Sequence, residues 1–252
     1  MNPDKSASPV ALVTGAGTGI GRACAVRFAE LGHDVVVNYS RSEQEAKQTS
    51  EMVQAKGQAC LVIQCDVSSD KEVRGMAENI QSRFGRLDVL VNNAGTTQFL
   101  DATDLDAMTD ALWDRILAVN LKAPFYCVRS VEKMLRSSDR AAVVNVSSVA
   151  GVRGIGSCHA YSASKGGLNA LTKSLALALS PDIRVNAVCP GPVDGRWMRQ
   201  SVTSEELAKM TARYPLPRPA SPDDIAKAVI YLALEATHTT GQLLVIDGGR
   251  TM

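Results

Sequence analysis

The segment from Val10 to Leu31 constrains the fold more than any other part of the chain. Val10-Ala11-Leu12-Val13-Thr14 is a short apolar run, and Gly15-Ala16-Gly17-Thr18-Gly19-Ile20-Gly21 follows without a break. A helical pattern then continues to Leu31. Strand, glycine turn and helix in that order form the setting in which a dinucleotide pyrophosphate is held. Glycines let the backbone approach the phosphates, and the helix N-terminus offers free N–H groups and the positive end of its dipole. Four glycines in seven residues exceed what a tight turn needs, although the spacing Gly15, Gly19, Gly21 departs from the usual Gly-x-Gly-x-x-Gly. Gly15, Gly17, Thr18, Gly19 and Ile20 are the candidate cofactor contacts of this turn.

The same alternation repeats along the chain. Strands are expected at 34–38, 60–65, 87–91, 141–146, 183–188 and 242–246. Helices are expected at 42–56, 69–84, 158–179 and 222–234, with a long one over 104–135 that bends near Pro124 and carries Asn120. Seven strands alternating with helices imply a parallel sheet covered on both faces. No repeat or internal boundary appears, so residues 1–252 read as one domain with a polar, flexible tail at 1–8. Residues 190–219, rich in Pro, Arg and Gly, read as a substrate-covering segment with one short helix near 203–212. Gly15, Asn92, Ser148 and Pro190 each follow a strand, and ligands of such sheets bind beyond the carboxyl ends of the strands.

Composition narrows the function classes. A formal net charge of +1 gives no reason to expect nucleic acid or an anionic membrane as a partner. The N-terminus lacks the apolar core of a signal peptide, and no apolar run reaches the ~20 residues that span a bilayer. Six cysteines without a Cys-x-x-Cys pair read as reduced thiols, which fits a cytoplasmic protein. The three histidines are too scattered for a metal site.

The chemistry concentrates between Val143 and Lys165. Val143-Val144-Asn145-Val146 is a buried-strand pattern ending in Ser147-Ser148, and Tyr161-Ser162-Ala163-Ser164-Lys165 lies in the next helix. Tyr161 and Lys165 are four apart and share a helix face. An ammonium beside a phenol favours the phenolate. Bringing a tyrosine from ~10 to a working value near ~7 requires about 4 kcal/mol, more than one lysine supplies, so a second cation or a desolvated site is implied.

Thr14-Gly15-x-x-x-Gly19-Ile20-Gly21, Asp66, Asn92-Asn93-Ala94-Gly95, Asn120, Ser148, Tyr161, Lys165 and Pro190-Gly191 together resemble the short-chain dehydrogenase/reductase superfamily over nearly the whole chain. The resemblance implies a doubly wound Rossmann fold with strand order 3-2-1-4-5-6-7. It implies Tyr161 as general acid/base and Ser148 as the holder of the substrate oxygen. Ser148 rather than Ser147 matches the family's thirteen-residue step to Tyr161. Lys165 would grip the nicotinamide ribose and lower the tyrosine pKa, and Asn120 would hold a relay water. The oxidised nicotinamide would be the second cation. Asp66 and Val67 would meet the adenine, Asn92, Ala94 and Gly95 the ribose and pyrophosphate side, and Pro190, Gly191 and Val193 the nicotinamide. Gly195 stands where the family often has a threonine touching the carboxamide. Relatives that reduce β-ketoacyl groups on acyl carrier protein commonly carry a basic residue after the active-site helix; here Ser180-Pro181-Asp182 stands there. That lowers a 3-oxoacyl-(acyl-carrier-protein) reductase reading without removing it. A non-catalytic dinucleotide sensor would be expected to lack part of the tetrad that is complete here.

The second strand ends Val37-Asn38-Tyr39-Ser40-Arg41, with no acid to hold a 2′-hydroxyl. Arg41 could pair with a 2′-phosphate, with Asn38 and Ser40 as neutral donors, or stand as a solvated loop cation. NADP(H) is therefore the preferred cofactor and NAD(H) a possible one. Arg196-Trp197-Met198-Arg199 could clamp a polar substrate or form a short amphipathic helix with solvated arginines. His159 could touch substrate or lie at the surface. The substrate is a small carbonyl or alcohol. Gly166, Ala170, Ser174 and Ala178 repeat every four residues, a stripe that packs internally or against a second subunit; the resemblance implies a homotetramer, a dimer of dimers.

Overall fold

The computed structural model describes residues 8–199 and 201–252. Seven parallel strands form one sheet in the order β3-β2-β1-β4-β5-β6-β7: β1 (Val10–Val13), β2 (Asp34–Tyr39), β3 (Cys60–Gln64), β4 (Val89–Asn92), β5 (Ala142–Val146), β6 (Arg184–Pro190) and β7 (Leu243–Ile246). The expected order holds because each strand is a β-branched run, followed by a helix that returns the chain to the same edge. Alternate residues of a strand serve opposite faces. Ala11, Val13, Val35 and Val37 pack with Phe28 of α1 (Gly19–Glu30) and Ile225 and Val229 of α10 (Pro222–Ile230). Val10, Leu12 and Val36 pack with Ile80 of α3 (Asp70–Phe84), Leu135 of α5 (Ala123–Arg136) and Leu175 of α7 (His159–Leu179).

The remaining helices are α2 (Glu43–Gln54), α4 (Asp110–Leu117), α6 (Ala150–Arg153), α8 (Arg196–Arg199) and α9 (Ser204–Thr211). The long helix expected from 104 begins six residues later. Asp101 Oδ1 accepts from Thr103 N at 2.9 Å and Asp104 Oδ1 from Ala107 N at 3.2 Å, local bonds that compete with helix. Thr109 then caps α4 through Leu112 N. The irregularity expected at Pro124 falls one turn earlier, in a π-helical segment at Ala118–Lys122 that contains Asn120. Pro124 itself sits in the first turn of α5, where its missing N–H costs little.

Ala170, Ser174 and Ala178 of the small-residue stripe are exposed, while Gly166 is half-buried beside Gly151. All six cysteines are free thiols. No helix among the described residues is long and apolar enough to cross a membrane.

Candidate active site

A cleft of about 810 Å³ runs along the carboxyl ends of the strands. Its floor is the glycine turn. Gly15 and Gly19 adopt φ of +64° and +56°, which favours glycine. A Cβ on Gly21 would stand 2.5 Å from both Asn93 Nδ2 and the Gly15 carbonyl, so this glycine allows the turn to close on β4. Thr14 Oγ1 accepts from Asn93 N and Ala94 N, both at 3.0 Å, and Asn93 Nδ2 donates to Thr14 O at 2.8 Å and Gly15 O at 3.1 Å. The first turn of α1 carries no acid, and Thr18 makes no side-chain cap bond. The N–H groups beside Thr18, Gly19 and Ile20 are thus left for an anion, and all three residues line the cleft. These features fit a dinucleotide pyrophosphate.

Two expected contacts of this end need correction. Gly17 does not line the cleft; a Cβ there would meet Ser42 Oγ at 2.9 Å, so it serves the packing of α2. Asn92 does not line it either. Its buried Nδ2 donates to Asn145 Oδ1 at 2.9 Å, and Asn145 in turn to Thr172 Oγ1. Successive strand residues face opposite ways, and the neighbour Asn93 is the one at the wall, with Ala94 and Gly95.

At the far end Tyr39, Ser40, Arg41, Asp66 and Val67 line the cleft. Asn38 also reaches it, but its Nδ2 donates to Cys65 O at 3.1 Å and its Oδ1 accepts from Gly15 N at 3.2 Å. It braces the turn and is not a free donor for a phosphate. Among the described residues nothing holds the Arg41 side chain by a hydrogen bond or ion pair. Asp34 lies at the other end of β2, accepting from Ala59 N, and Glu43 pairs with Lys47. Asp66 accepts from Ser68 N and Oγ and from Arg115 Nη1 at 3.2 Å, and its carboxyl lies below the usual range. Burial works against that lowering. Arg115, brought to the cleft by α4, had no sequence signal near Asp66.

Ser147 and Ser148 separate clearly. Ser147 is buried, its Oγ donating to Asn169 Oδ1 at 2.6 Å. Ser148 is half-buried, accepts from Ala150 N at 3.1 Å and lies near enough to the Tyr161 hydroxyl to favour its ionised form. Lys165 is buried, and its Nζ donates to Val146 O at 2.8 Å, 5.8 Å from the Tyr161 ring centroid. A Cβ on Gly151 would stand 2.4 Å from the Lys165 carbonyl carbon, so glycine lets α6 close over α7 here. Burial pushes the Tyr161 phenol up to about 12, against the effect of Ser148, and lowers the Lys165 ammonium to about 8. The lowering of Tyr161 that the resemblance implies is therefore not seen in the protein alone: burial dominates at both groups, in keeping with the expectation that one lysine does not suffice. Asn120 is buried; its Oδ1 accepts from Thr96 N at 2.8 Å and its Nδ2 donates to Thr96 O and Ser164 Oγ. Both amide hydrogens are spent, so its side chain ties the 94–97 loop to α7.

Over the cleft, Val193 bridges to Ala220, and Pro190, Gly191 and Gly195 line the wall. Open space lies where Gly195 would carry a Cβ. Trp197 packs edge-on against Tyr161, with ring centroids 6.0 Å apart. Arg196 pairs with Glu45 at 2.6 Å and Arg199 with Asp194 at 2.7 Å. Neither arginine is a free clamp. His159 is exposed, its ring nitrogen 3.0 Å from Ala102 O, and does not line the cleft.

The family model described as "Enoyl-(Acyl carrier protein) reductase" matches residues 15–251. The chain is similar to the 3-oxoacyl-(acyl-carrier-protein) reductase FabG of Staphylococcus aureus, 39% identical over 244 residues covering 96% of this chain and 98% of that one. It is 40% identical over 250 residues to a protein assigned as ketoacyl reductase 2 of the granaticin polyketide synthase of Streptomyces violaceoruber, covering 99% of this chain and 98% of that one. Among solved structures it resembles one assigned as a short-chain dehydrogenase/reductase from Burkholderia xenovorans, with a TM-score of 0.91, 36% identity and coverage of 97% and 98%. Fold, cleft and relatives agree that this chain belongs to the short-chain dehydrogenase/reductase superfamily of oxidoreductases.

Proposed function

We propose that the chain transfers a hydride reversibly between NADP(H) and a small carbonyl or secondary alcohol, as a cytoplasmic homotetramer built from one domain per chain. The observation that carries this reading is the meeting of Ser148, Tyr161 and buried Lys165 in the same cleft as the glycine turn. A bound nicotinamide supplies or accepts the hydride and, when oxidised, adds a positive charge. In reduction, Tyr161 Oη gives its proton to the carbonyl oxygen while Ser148 Oγ donates a hydrogen bond to that oxygen. In oxidation the same groups act in reverse. A phenol raised to about 12 holds its proton firmly, so forming the phenolate that takes the alcohol's proton needs nearby positive charge, which Lys165, its Nζ 5.8 Å from the Tyr161 ring centroid, and the oxidised nicotinamide would supply. Asn120 fixes the loop and helix that present these groups.

The preference for NADP(H) rests on Arg41, which lines the cleft beside the end of β2 with no carboxylate of that strand end to oppose a 2′-phosphate. The exposed stripe on α7 supports assembly through that helix. The names of the relatives favour a second reading, reduction of 3-oxoacyl groups on acyl carrier protein. Against it, Asp182 after α7 is an acid rather than a base, and it pairs with Arg136. The test follows reduced-nicotinamide absorbance with a panel of ketones, aldehydes and alcohols, including a 3-oxoacyl thioester, and compares kcat/KM for NADPH and NADH. Turnover with a clear NADPH preference is expected; a preference for NADH would contradict the cofactor assignment.

A further inference from the structure

Of the arginines lining the cleft, three are accounted for: Arg115 with Asp66, Arg196 with Glu45, and Arg41 at the adenosine end. Arg250 is the fourth. It is half-buried, lines the cleft, and among the described residues its guanidinium has no hydrogen bond or ion pair. The acidic side chain nearest to it in the sequence, Asp247, is occupied by the turn itself: Oδ1 accepts from Gly249 N at 2.9 Å and Oδ2 from Thr251 N at 2.8 Å. Arg153 Nη1 holds Thr251 O at 3.1 Å, which fixes the turn from outside.

The topology says which end of the cleft Arg250 serves. Arg41 follows β2 and the glycine turn follows β1, on one side of β5 and Ser148; Arg250 follows β7, on the other side. The turn is tied to the catalytic loop by short links. Gly191 N donates to Ile246 O at 2.9 Å, Val149 N donates to Pro190 O at 3.0 Å, and Leu216 N donates to Gly248 O at 2.9 Å. A Cβ on Gly191 would lie 2.8 Å from Asp247 Cβ, so no side chain separates them. Arg250 is thus held at the substrate side of Ser148, under the 190–219 segment. Its companions on the cleft wall include the apolar Ile155, Trp197, Met198 and Met210. A lone guanidinium on a largely apolar wall offers a planar, charge-assisted fork for an anion.

We propose that Arg250 selects substrates whose oxo or hydroxyl group is accompanied by an anionic group, a carboxylate or a phosphate. This inference rests on the reading of the cleft as a carbonyl-reducing site, and the test separates the two. Binding to the NADP⁺-loaded protein is measured by calorimetry for short oxo acids of increasing chain length, each with its methyl ester. Dihydroxyacetone phosphate is compared in the same way with dihydroxyacetone, which distinguishes phosphate from carboxylate. Turnover of the same pairs is measured with NADPH. At least one anion is expected to bind tenfold or more tightly than its neutral partner. Arg250→Gln is expected to remove that preference, and Arg250→Lys to keep part of it, which a merely structural role would not do. Neutral partners that bind as well as every anion, or a preference that survives Arg250→Gln, would overturn the inference. An anion preference in binding without turnover would leave it standing and strike the proposed reaction instead.

Discussion

One wall of the cleft is the row of strand ends, backed by Thr14, Asn93, Asn120, Ser147 and Lys165, whose side chains make hydrogen bonds that cross from strand to strand and from sheet to α7. The other wall is the 190–219 segment, three of whose four arginines, Arg196, Arg199 and Arg218, are held by acids at an exposed surface. Buried, satisfied networks hold geometry; exposed ion pairs contribute about 1 kcal/mol or less each. The groups proposed to move protons stand on the first wall, and Trp197, which meets Tyr161, comes from the second. Chemistry is thereby fixed while the substrate side stays adjustable.

The hardest way to break this contrast is to insert a side chain where the first wall is tightest. Gly21→Val puts a Cβ 2.5 Å from Asn93 Nδ2 and from the Gly15 carbonyl. Overpacking there should cost at least about 2 kcal/mol of stability. Affinity for NADP(H) should fall ~100-fold, as the turn can no longer close. Thermal unfolding and a fluorescence titration measure both.

Lys165→Met separates function from stability within the same wall. Turnover should drop by about 10²-fold or more. Stability near neutral pH should rise, because the folded protein holds this ammonium at about 8 against 10.5 for the free group. The unfolded chain therefore binds the proton more tightly, and burial is most costly below pH 8. The gain on substitution is at most ~3 kcal/mol there and should shrink as pH rises from 8 towards 10.5. Burial raises the Cys24 and Cys65 thiols to about 12, and these also titrate at high pH. They are common to both proteins, so the difference between variant and wild type reports Lys165 together with the Cys189 thiol that it lowers. Denaturant unfolding across that pH range checks the sign.

The second wall should respond weakly. Arg196→Gln removes the ion pair to Glu45, and both partners are partly exposed. Stability should change by about 1 kcal/mol or less, with any kinetic effect in KM rather than kcat. A large loss of kcat would show that the segment helps to fix the catalytic geometry, against the comparison drawn above.

The first wall was also the more legible in the sequence. Periodicity puts Tyr161 and Lys165 on one helix face and Ser148 beyond a strand end; the choice of Ser148 over Ser147 comes from the family resemblance. The misses lie where periodicity gives out. Asn92 and Asn93 are adjacent, and a single step at a strand end exchanges cleft for interior. Asn38 read as an available amide because its partners, Gly15 N and Cys65 O, come from two other loops. The periodic pattern from 104 concealed both the Asp-led turns before Thr109 and the π segment at Asn120. Arg115 reaches the cleft only through tertiary packing, with no local signal, whereas Trp197 stands out in the sequence but its edge-on contact with Tyr161 does not.

The most direct measurement compares hydride transfer and cofactor affinity in Tyr161→Phe on one sample, by single-turnover absorbance of the reduced nicotinamide with a substrate the wild type reduces. The phenol hydroxyl is the group proposed to move the proton, while the groups proposed to hold the cofactor are the glycine turn, Lys165 and Arg41. Hydride transfer should slow by about 10²- to 10⁴-fold, with the NADPH dissociation constant within a few-fold of wild type. Near-normal hydride transfer in the variant would contradict the assignment of Tyr161 and, with it, the central claim that the strand-end wall carries the chemistry.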